Sequence, residues 1–403
     1  MRLFLNYIKQ FLRVFYWPIY YLSGFFSRDE KIWVFGSLFG RRFADNPKYL
    51  FLDIILNEKD SDIKPIWITR DKKVFDYLKK QGLPSCYLYS LKGIYYSLRG
   101  KIWIYDHSSH DISFWLSNGA IKVNLWHGVP LKKISWDSNP KHFQGIMKFL
   151  GKLIFPWAWE KPNYIISPAD ITDSIFKSAF RIEKGIFIKV GYPRVKTLLY
   201  PDRFNLENKL KFLNRKVILY APTFRDNSSE DLLMKVLDFE KLDDFLSQNN
   251  SVMLIKPHPF SRLSNFLKSK SFTNIYTIGA YEDIYQYLPF VHILITDYSS
   301  IYYDFLYTNR PIIFFPYDLE IYTKMDRELY FNYEEYTPGP KVYNTEELIN
   351  ELKKAFYNDI YDSIRKQFFQ KVGLSYNFNV KEEILKSLIE NEKKIYSFDV
   401  CVE

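Results

Sequence analysis

The strongest constraint on the fold of this chain is an alternation of short apolar runs with segments of helical period, which occurs twice. Segments 48–57 and 72–80 are examples of the helical stretches. The predicted strands are residues 32–35, 66–69, 102–105, 123–126, 164–167 and 187–190 in the first series, and 217–220, 252–255, 275–277, 292–296 and 312–315 in the second. Such alternation is typical of parallel sheets with crossover helices. It predicts an α/β fold with two doubly wound domains.

The length of the chain and the break in the alternation give the expected domain boundaries. A chain of 403 residues is too long for one ordinary hydrophobic core. The polar and charged stretch 200–216 separates the two series of strands. We therefore expect a membrane-surface segment at 1–28, an N-terminal Rossmann-like domain at 29–205 and a C-terminal Rossmann-like domain at 206–403.

Charge and cysteine content narrow the range of partners and compartments. The formal net charge is +10, with 56 Lys and Arg against 46 Asp and Glu, which favours anionic partners such as phospholipid, nucleotide or polyphosphate. No nucleic-acid-binding motif accompanies this charge, so no nucleic acid partner is expected. Cys86 and Cys401 cannot form a disulfide framework or a zinc site, and a reducing cytoplasm is predicted.

Residues 1–28 combine a polar stripe with apolar and aromatic side chains at helical spacing. The longest charge-free run, residues 14–27, has 14 residues and contains Pro18, whereas a membrane-spanning helix needs about 20 apolar residues. We interpret the segment as a helix that lies in the plane of an anionic membrane leaflet, with an ordinary core helix as the alternative. Residues 141–159 allow the same two interpretations.

Two histidines, one in each predicted domain, directly follow apolar runs that are predicted to be strands. Because ligands bind beyond the carboxyl ends of strands in open parallel sheets, His127 and His258 are expected near ligands. An imidazole with a pKa near 6.5 suits proton transfer, and Lys256 beside His258 adds a cation that can bind phosphoryl oxygen. A structural role at the strand end is the alternative for each histidine.

Polar side chains also follow two other strands of the second series. Ser299 and Ser300 begin a predicted helix, whose free N–H groups and positive dipole end favour a diphosphate. Asp304 lies one helical turn later and could accept a hydrogen bond from a ribose or polyol hydroxyl. Ordinary helix capping is the alternative. Thr223 and Arg225 emerge at the end of a neighbouring strand.

Two further candidates belong to the first series. Arg194 could bind a phosphate with two hydrogen bonds, although a surface salt bridge is the alternative for this residue and for Arg225. The loop 106–111 contains two histidines and two carboxylates, which could be metal ligands. No further ligand set accompanies this loop, so we interpret it as a rim loop that could contact an acceptor, and we expect no metal.

Several short motifs, including those that contain the two histidines, together resemble the pattern of a known family. Residues 127–132, His-Gly-Val-Pro-Leu-Lys, resemble the HGTPLK motif of the CDP-glycerol glycerophosphotransferases, the family of teichoic acid primases and polymerases. Later motifs of that family are matched in the same order by residues 191–194, 221–226, 256–259 and 297–300. The resemblance covers about residues 30 to 395, and several motifs in order are more specific than any one alone.

The resemblance implies a GT-B fold in which two Rossmann-like domains face a central cleft, with the acceptor on the N-terminal side and the nucleotide donor on the C-terminal side. It implies His127 and His258 as the catalytic residues. The implied donor-binding residues are Gly128, Val129, Pro130, Leu131, Arg194, Pro222, Thr223, Lys256, Pro257, Ser299, Ser300 and Asp304. Possible acceptor or phosphate contacts are Lys132, Arg225 and Asp297. No cofactor is expected besides CDP-glycerol as donor substrate.

The functional hypothesis is transfer of glycerol phosphate, or a related polyol phosphate, from CDP-glycerol to a hydroxyl of a lipid-linked saccharide or a growing teichoic-acid or capsule-type polymer, with release of CMP. The resemblance implies a peripheral enzyme on the cytoplasmic face of the cell membrane. One alternative is a GT-B glycosyltransferase that uses a nucleotide sugar in cell-surface polysaccharide synthesis. A non-enzymatic alternative is a membrane scaffold that binds anionic lipid.

The chain departs from the family pattern at a few positions. Val129 replaces the usual threonine, and Ser135 stands where glycine is common. Residues 195–196 replace a usual Asn-Asp pair, and Phe224 replaces a common tryptophan. These departures lie near the expected donor and acceptor pockets, so they leave the identity of the polyol open.

Overall fold

The computed structural model describes residues 15–56, 62–138, 146–182, 187–204, 214–223, 225, 231–257, 262–279 and 282–399. These residues form two parallel sheets with helices between the strands, which confirms the predicted α/β class. No helix within the described ranges combines the length and apolar character that a membrane span requires.

The first sheet has seven parallel strands in the order β3-β2-β1-β4-β5-β6-β7. Its strands are β1 (Asp29–Phe35), β2 (Lys64–Thr69), β3 (Ser85–Tyr87), β4 (Gly100–Tyr105), β5 (Ile121–Asn124), β6 (Tyr164–Ile166) and β7 (Phe187–Ile188). The order reverses next to β1, as in a doubly wound fold. All six predicted strands of the first series are present, whereas β3 escapes prediction because its three residues, Ser, Cys and Tyr, include no aliphatic side chain.

The second sheet has five parallel strands in the order β10-β9-β8-β11-β12, which repeats the topology of the first. Its strands are β8 (Lys216–Ala221), β9 (Ser251–Ile255), β10 (Ile275–Thr277), β11 (Ile293–Thr296) and β12 (Ile312–Phe314). Every strand predicted in the second series is therefore confirmed. The β9 strand is buried throughout, as expected for a strand covered on both faces by helices.

The helices that connect and cover these strands are α1 (Trp17–Ser23), α2 (Asp45–Leu56), α3 (Lys72–Lys80), α4 (Leu91–Arg99), α5 (Ser135–Ser138), α6 (Ile146–Ile154), α7 (Asp170–Ala179), α8 (Lys196–Leu199), α9 (Asp231–Val236), α10 (Phe239–Gln248), α11 (Arg262–Ser269), α12 (Ile301–Phe305), α13 (Leu319–Met325), α14 (Thr345–Tyr357), α15 (Asp362–Val372) and α16 (Val380–Asp399). The α3 helix has its predicted bounds. Its N-cap is Asp71, whose carboxylate accepts hydrogen bonds from two backbone N–H groups of the first turn.

The chain divides into two compact units, one around each sheet. The first unit contains the described residues up to His127, those within Asn139–Arg194 and those from Ser375 onward, and the second contains Gly128–Ser138 and the described residues of Val195–Leu374. This division differs from the expected 205/206 boundary because the α16 helix returns to the first sheet. The hydroxyl of Tyr164 on β6 donates to the carbonyl of Ser387 on α16 (3.1 Å).

The hydrophobic core of each unit lies between its sheet and its helices. In the first unit Trp33, Trp67 and Trp103 are fully buried on the neighbouring strands β1, β2 and β4. In the second unit Met253 of β9 and Leu242 of α10 belong to one cluster of buried side chains. Burial of an apolar side chain of this size contributes about 1.5–3 kcal/mol to the stability of the fold.

The described part of the N-terminal segment is a short aromatic helix attached to the first unit. Trp17 donates from Nε1 to the carbonyl of Leu153 (3.1 Å), and the ring of Tyr20 stacks on Phe114 with 4.7 Å between centroids. Pro18 occupies the first turn of α1, where no N–H is needed. The predicted in-plane helix also includes residues 1–14, which lie outside the described residues.

Arg28 fastens the chain that leaves this helix to the first sheet. Its guanidinium donates hydrogen bonds to the carbonyls of Ser97, Gly100, Leu116 and Asn118, at distances of 2.6–3.1 Å. Burial lowers the pKa of this guanidinium to about 10, which leaves it charged at neutral pH. The contacts of Trp17 within α1 and of Arg28 after it therefore hold the helix against the first unit.

Candidate functional site

In the first unit His127 occupies a sharp turn beyond the carboxyl end of β5. Trp126 has a φ of +52° and Gly128 a φ of +143°, so the backbone bends on both sides of the histidine. The predicted strand 123–126 therefore ends at Asn124. Asn46 near the start of α2 secures the turn, because its Nδ2 donates to the carbonyl of Trp126 (2.8 Å).

The hydrogen bond of the His127 ring defines its tautomer. Nδ1 lies 3.2 Å from the carbonyl oxygen of Asp106, which can only accept, so Nδ1 carries the proton and Nε2 is the ring atom that can accept another. The ring also stacks on His107, with 4.3 Å between centroids and 16° between planes. Burial, followed by the positive charge of His107, lowers the pKa of His127 to about 3.

His107 has the opposite electrostatic environment. Its Nδ1 lies 2.8 Å from Oδ1 of the buried Asp106. Burial opposes a charge on this ring, but the Asp106 carboxylate and its hydrogen bond outweigh that effect and raise the pKa of His107 to about 9. At neutral pH the stacked pair therefore consists of a charged His107 and a neutral His127.

The carboxylates beside His107 form a hydrogen-bonded network. Asp106, His107 and Asp111 each offer one ligand atom within 4.8 Å of the others, which is close enough for a cation. However, Asp106 already accepts from the hydroxyl of Ser37 (2.6 Å), and Asp111 accepts from the backbone N–H of Phe39 (2.7 Å) and of His107 (2.8 Å). We interpret the group as a buried network held by protein donors. Burial and the neighbouring Asp106 raise the pKa of Asp111 to about 7, so Asp111 is only partly ionised at neutral pH. The assignment of residues 106–111 to a rim loop stays a prediction.

Arg194 lies in the same unit, bound to a carboxylate at the start of α2. Its Nη1 is 2.7 Å from Oδ1 of Asp45, and its backbone N–H donates to Oδ1 of Asn46 (3.3 Å). Burial raises the pKa of Asp45 to about 6, against the influence of Arg194. Arg194 is thus buried and paired inside its unit, and a phosphate near it would share the guanidinium with Asp45.

The second unit collects predicted donor-binding residues at one edge of its sheet. Pro222 and Thr223 follow β8, Lys256 and Pro257 follow β9, and Ser299 and Ser300 follow β11. Because β9, β8 and β11 are neighbours in a parallel sheet, these residues lie at the same carboxyl edge. The ammonium group of Lys256 donates to the carbonyl of Gly279. The topology therefore brings together the residues that the motifs predict.

His258 falls outside the described residues. Its predicted catalytic role stays a prediction. Pro257, directly before it, is buried at the end of β9. The described part of this turn is consistent with a stiff connection after the strand.

Arg225 and Asp297 were predicted to be possible acceptor or phosphate contacts, but both take part in ion pairs within the second unit. Both side chains are buried, and Arg225 donates from Nε and Nη2 to the two carboxylate oxygens of Asp318 (3.0 and 2.8 Å) and from Nη1 to Asp297 (2.5 Å). Asp297 in turn accepts from the backbone N–H of Thr223 (2.9 Å). These ion pairs fix the turns after β8 and β11, so the two residues position the edge and their charges are paired within the protein.

Asp304 and the serines at α12 form the rest of this edge. Asp304 is buried and accepts a hydrogen bond from the hydroxyl of Tyr285, so it faces the interior of the unit. Ser299 Oγ accepts from the N–H of Ile301 (3.5 Å), a weak capping contact that leaves the serine at the start of the helix. Ser300 is the N-cap residue of α12.

The loop after His127 belongs to the second unit. The side chains of Val129 and Leu131 are buried, as are Gly128 and Pro130, and Lys132 pairs with Leu329 in an isolated antiparallel bridge. The backbone N–H of Tyr330 donates to the carbonyl of Leu131 (2.9 Å). This loop is therefore held in place by the burial of its apolar side chains and by backbone hydrogen bonding within the second unit.

Three residues that hold the His127 turn were not predicted to do so. Residues 106 and 107 were assigned to a rim loop, and Asn46 was not singled out. Asp106 and His107 contact the His127 ring, and Asn46 binds the carbonyl of Trp126, from segments that the strand pattern does not connect with this turn. The Asp-Asn-Pro start of α2 is a capping pattern, which could have identified Asn46 as a residue at a helix end.

Two doubly wound parallel-sheet units in one chain, each with polar side chains beyond the ends of its strands, are the architecture of the GT-B fold. A family profile described as CDP-Glycerol:Poly(glycerophosphate) glycerophosphotransferase matches residues 19–389. The chain belongs to this family, as the sequence motifs predicted.

Individual relatives agree with this assignment. The chain is 32% identical to the teichoic acid poly(glycerol phosphate) polymerase of Bacillus spizizenii, over 88% of this chain and 91% of the relative. It is 30% identical to the teichoic acid glycerol-phosphate transferase of Staphylococcus aureus, over 85% and 89% of the two chains. The solved structure of the wall teichoic acid polymerase TagF matches with a TM-score of 0.72 and 24% identity, over 97% of this chain and 99% of that chain.

Proposed function

We propose that this enzyme transfers glycerol phosphate from CDP-glycerol to a terminal hydroxyl of a growing teichoic-acid-type polymer and releases CMP. Membership of the glycerophosphotransferase family supports the reaction, and the names of the polymerase and transferase relatives support the acceptor. Solved structures of TagF include a histidine variant with CDPG, which supports the donor. The observation that carries the proposal is the neutral His127 ring, whose Nε2 is the atom able to accept a proton.

In the proposed mechanism the acceptor hydroxyl gives its proton to Nε2 of His127 while its oxygen attacks the β-phosphorus of CDP-glycerol. The bond from that phosphorus to the bridging oxygen breaks, and its electron pair leaves with CMP. A ring with a pKa near 3 is a weak base, but the negative charge of a bound diphosphate raises the pKa of an adjacent imidazole. His127 thus becomes a stronger base when the donor is in place.

The second-unit edge supplies the proposed donor contacts. Lys256, Thr223, Ser299 and Ser300 provide a cation, hydroxyls and helix-end N–H groups where a diphosphate develops charge, and such placed donors account for much of the catalysis in phosphoryl transfer. We assign His258 the assistance of the departing CMP.

We further propose that the acceptor is lipid-linked and that the enzyme works at the cytoplasmic face of the membrane as a peripheral protein. The side chains of Tyr21, Leu22 and Phe25, in and just after α1, are 61%, 59% and 86% exposed. Exposed large apolar side chains on a chain with a formal net charge of +10 favour an anionic lipid interface.

A donor screen tests the proposed reaction. The enzyme is given CDP-glycerol, CDP-ribitol and nucleotide sugars with a glycerol-phosphate primer on a lipid carrier, and the released nucleotide is measured. We expect CMP from CDP-glycerol. Release of a nucleoside diphosphate from a nucleotide sugar would instead establish a glycosyltransferase. Binding to anionic vesicles without turnover or thermal stabilisation by any CDP compound would indicate a lipid-binding scaffold.

A further inference from the structure

The stacked imidazoles of His107 and His127 are the feature that the proposed mechanism leaves unexplained. Parallel rings 4.3 Å apart cannot both carry a positive charge without strong repulsion. The side chain of Asp106 lies 2.8 Å from His107 and favours the charge on that ring. The backbone carbonyl of the same aspartate accepts a hydrogen bond from Nδ1–H of His127 (3.2 Å). One residue therefore binds both rings.

The charged groups around the pair together favour a positive charge on His107 over one on His127. Asp106, Asp111 and Asp45 raise the pKa of His107, while the charges of His107 and Arg194 lower the pKa of His127. The Asp106 carboxylate also attracts a proton to His127, but this effect is smaller than the repulsion by His107. Among the described residues, Phe39 and Trp126 present uncharged rings to His107, at 5.7 and 6.4 Å.

We propose that His107 is a positioning residue for the transfer reaction: paired with Asp106 and stacked on His127, it holds that ring in place as the neutral tautomer with Nε2 able to accept the substrate proton. This inference rests on the proposed function only for the identity of the reaction. The stack itself is a property of the folded first unit and can be measured without turnover.

Two substitutions test the roles of His107 and Asp106 separately. His107→Phe keeps an aromatic ring against His127 and removes the charge, and Asp106→Asn keeps the backbone carbonyl and removes the carboxylate. His107→Phe removes a positive charge from the neighbourhood of His127, so the pKa of His127 rises. Asp106→Asn removes the carboxylate that attracts a proton to both rings, so the pKa of His107 falls, whereas its two effects on His127 oppose each other. His110→Phe is the matched control, because His110 lies in the same loop but stacks on Trp157, with 4.3 Å between centroids.

The experiment follows the imidazole nitrogens of ¹⁵N-histidine-labelled full-length protein by NMR as the pH is varied. In the wild type we expect His127 to stay neutral at the lowest pH at which the protein is folded. In His107→Phe the titration of His127 should move up by about one pH unit or more, in Asp106→Asn the titration of His107 should move down by about one pH unit or more, and in His110→Phe neither should move. A folded His107→Phe variant with an unchanged His127 titration, or a folded Asp106→Asn variant with an unchanged His107 titration, would overturn the proposal.

The pH dependence of kcat/KM gives a second readout. A general base works only when unprotonated, so activity is lost as the pH falls through its pKa. The acid limb should therefore shift to higher pH in His107→Phe, whereas a purely structural role would lower activity equally at all pH values. If the wild type releases no CMP from CDP-glycerol, the proposed function fails, but the NMR titration still tests the stack.

Discussion

At the scale of single residues, Ser135 has an unfavourable backbone conformation. This exposed serine has a φ of +47°, in the left-handed region. A residue with a Cβ pays about 1–2 kcal/mol in that region, whereas glycine does not.

We therefore expect Ser135→Gly to raise the free energy of unfolding by about 1 kcal/mol, measured by denaturant titration. Ser138→Gly in the same short helix is the control. Ser138 has no positive φ, so glycine there should lower stability by about 0.5–1 kcal/mol. The idea is refuted if both substitutions destabilise to the same extent.

The identity of a functional residue could be predicted from the sequence, but its protonation state could not. His127 is identified by its position after a strand, and its expected pKa is the ordinary value near 6.5. The structure lowers that pKa to about 3, because burial and the charged His107 both disfavour the imidazolium. No local pattern reveals this effect, since the stacking partner comes from the loop after a different strand.

At the scale of secondary-structure elements, Arg225 connects three of them. It follows β8, pairs with Asp297 after β11 and forms two hydrogen bonds with Asp318, the N-cap residue of α13. The cation of Arg225 also lies 5.2 Å from the ring centroid of Tyr298. These contacts hold the edge that carries the predicted donor-binding residues.

Replacement of Arg225 by methionine should lower the free energy of unfolding of the second unit by about 3–5 kcal/mol, because two buried carboxylates lose their partner. Chemical denaturation monitored by tyrosine and tryptophan fluorescence measures the loss. Lys241→Met is the control, since the exposed Lys241–Glu346 pair should contribute less than about 1 kcal/mol. Equal losses in the two variants would contradict this account of the edge.

Elements with a clear apolar pattern were predictable, and short ones were not. The eleven predicted strands are present, and most of them, such as β9, have a run of buried apolar side chains. The β3 strand, Ser85–Tyr87, contains no aliphatic side chain and gave no signal. The predicted helix start near Ser299 agrees with α12, which begins at Ile301.

At the scale of the whole molecule, basic charge and exposed aromatic side chains together predict binding to anionic vesicles. Binding should weaken at least roughly tenfold between 0.1 and 1 M salt, because the Debye length falls from about 10 to about 3 Å. The double variant Leu22→Ser/Phe25→Ser should also weaken binding roughly tenfold or more through loss of apolar burial.

A vesicle sedimentation assay with phosphatidylglycerol liposomes measures both effects. Tyr357→Ser is the control, because this tyrosine is 79% exposed on the second unit, away from the aromatic helix in sequence. Binding that is insensitive to salt and equal in all three proteins would rule out this membrane surface.

The division of the molecule into units was only partly predictable. Two series of strands gave two units, but the return of α16 to the first unit depends on contacts such as Gly191 N–H to the carbonyl of Asn377 (2.7 Å). Such contacts join residues almost 200 positions apart. A break in the hydrophobic pattern locates a domain boundary only when no later segment of the chain returns to the first domain.

The most direct test of the account is single-turnover release of CMP from labelled CDP-glycerol by the wild type and by His127→Ala, with a lipid-linked primer present. We predict that the variant is folded, as judged by its melting curve, and at least about a hundredfold slower, which is the usual effect of losing an acid–base group. A folded His127→Ala enzyme that releases CMP at close to the wild-type rate would contradict the central claim that this imidazole takes the acceptor proton.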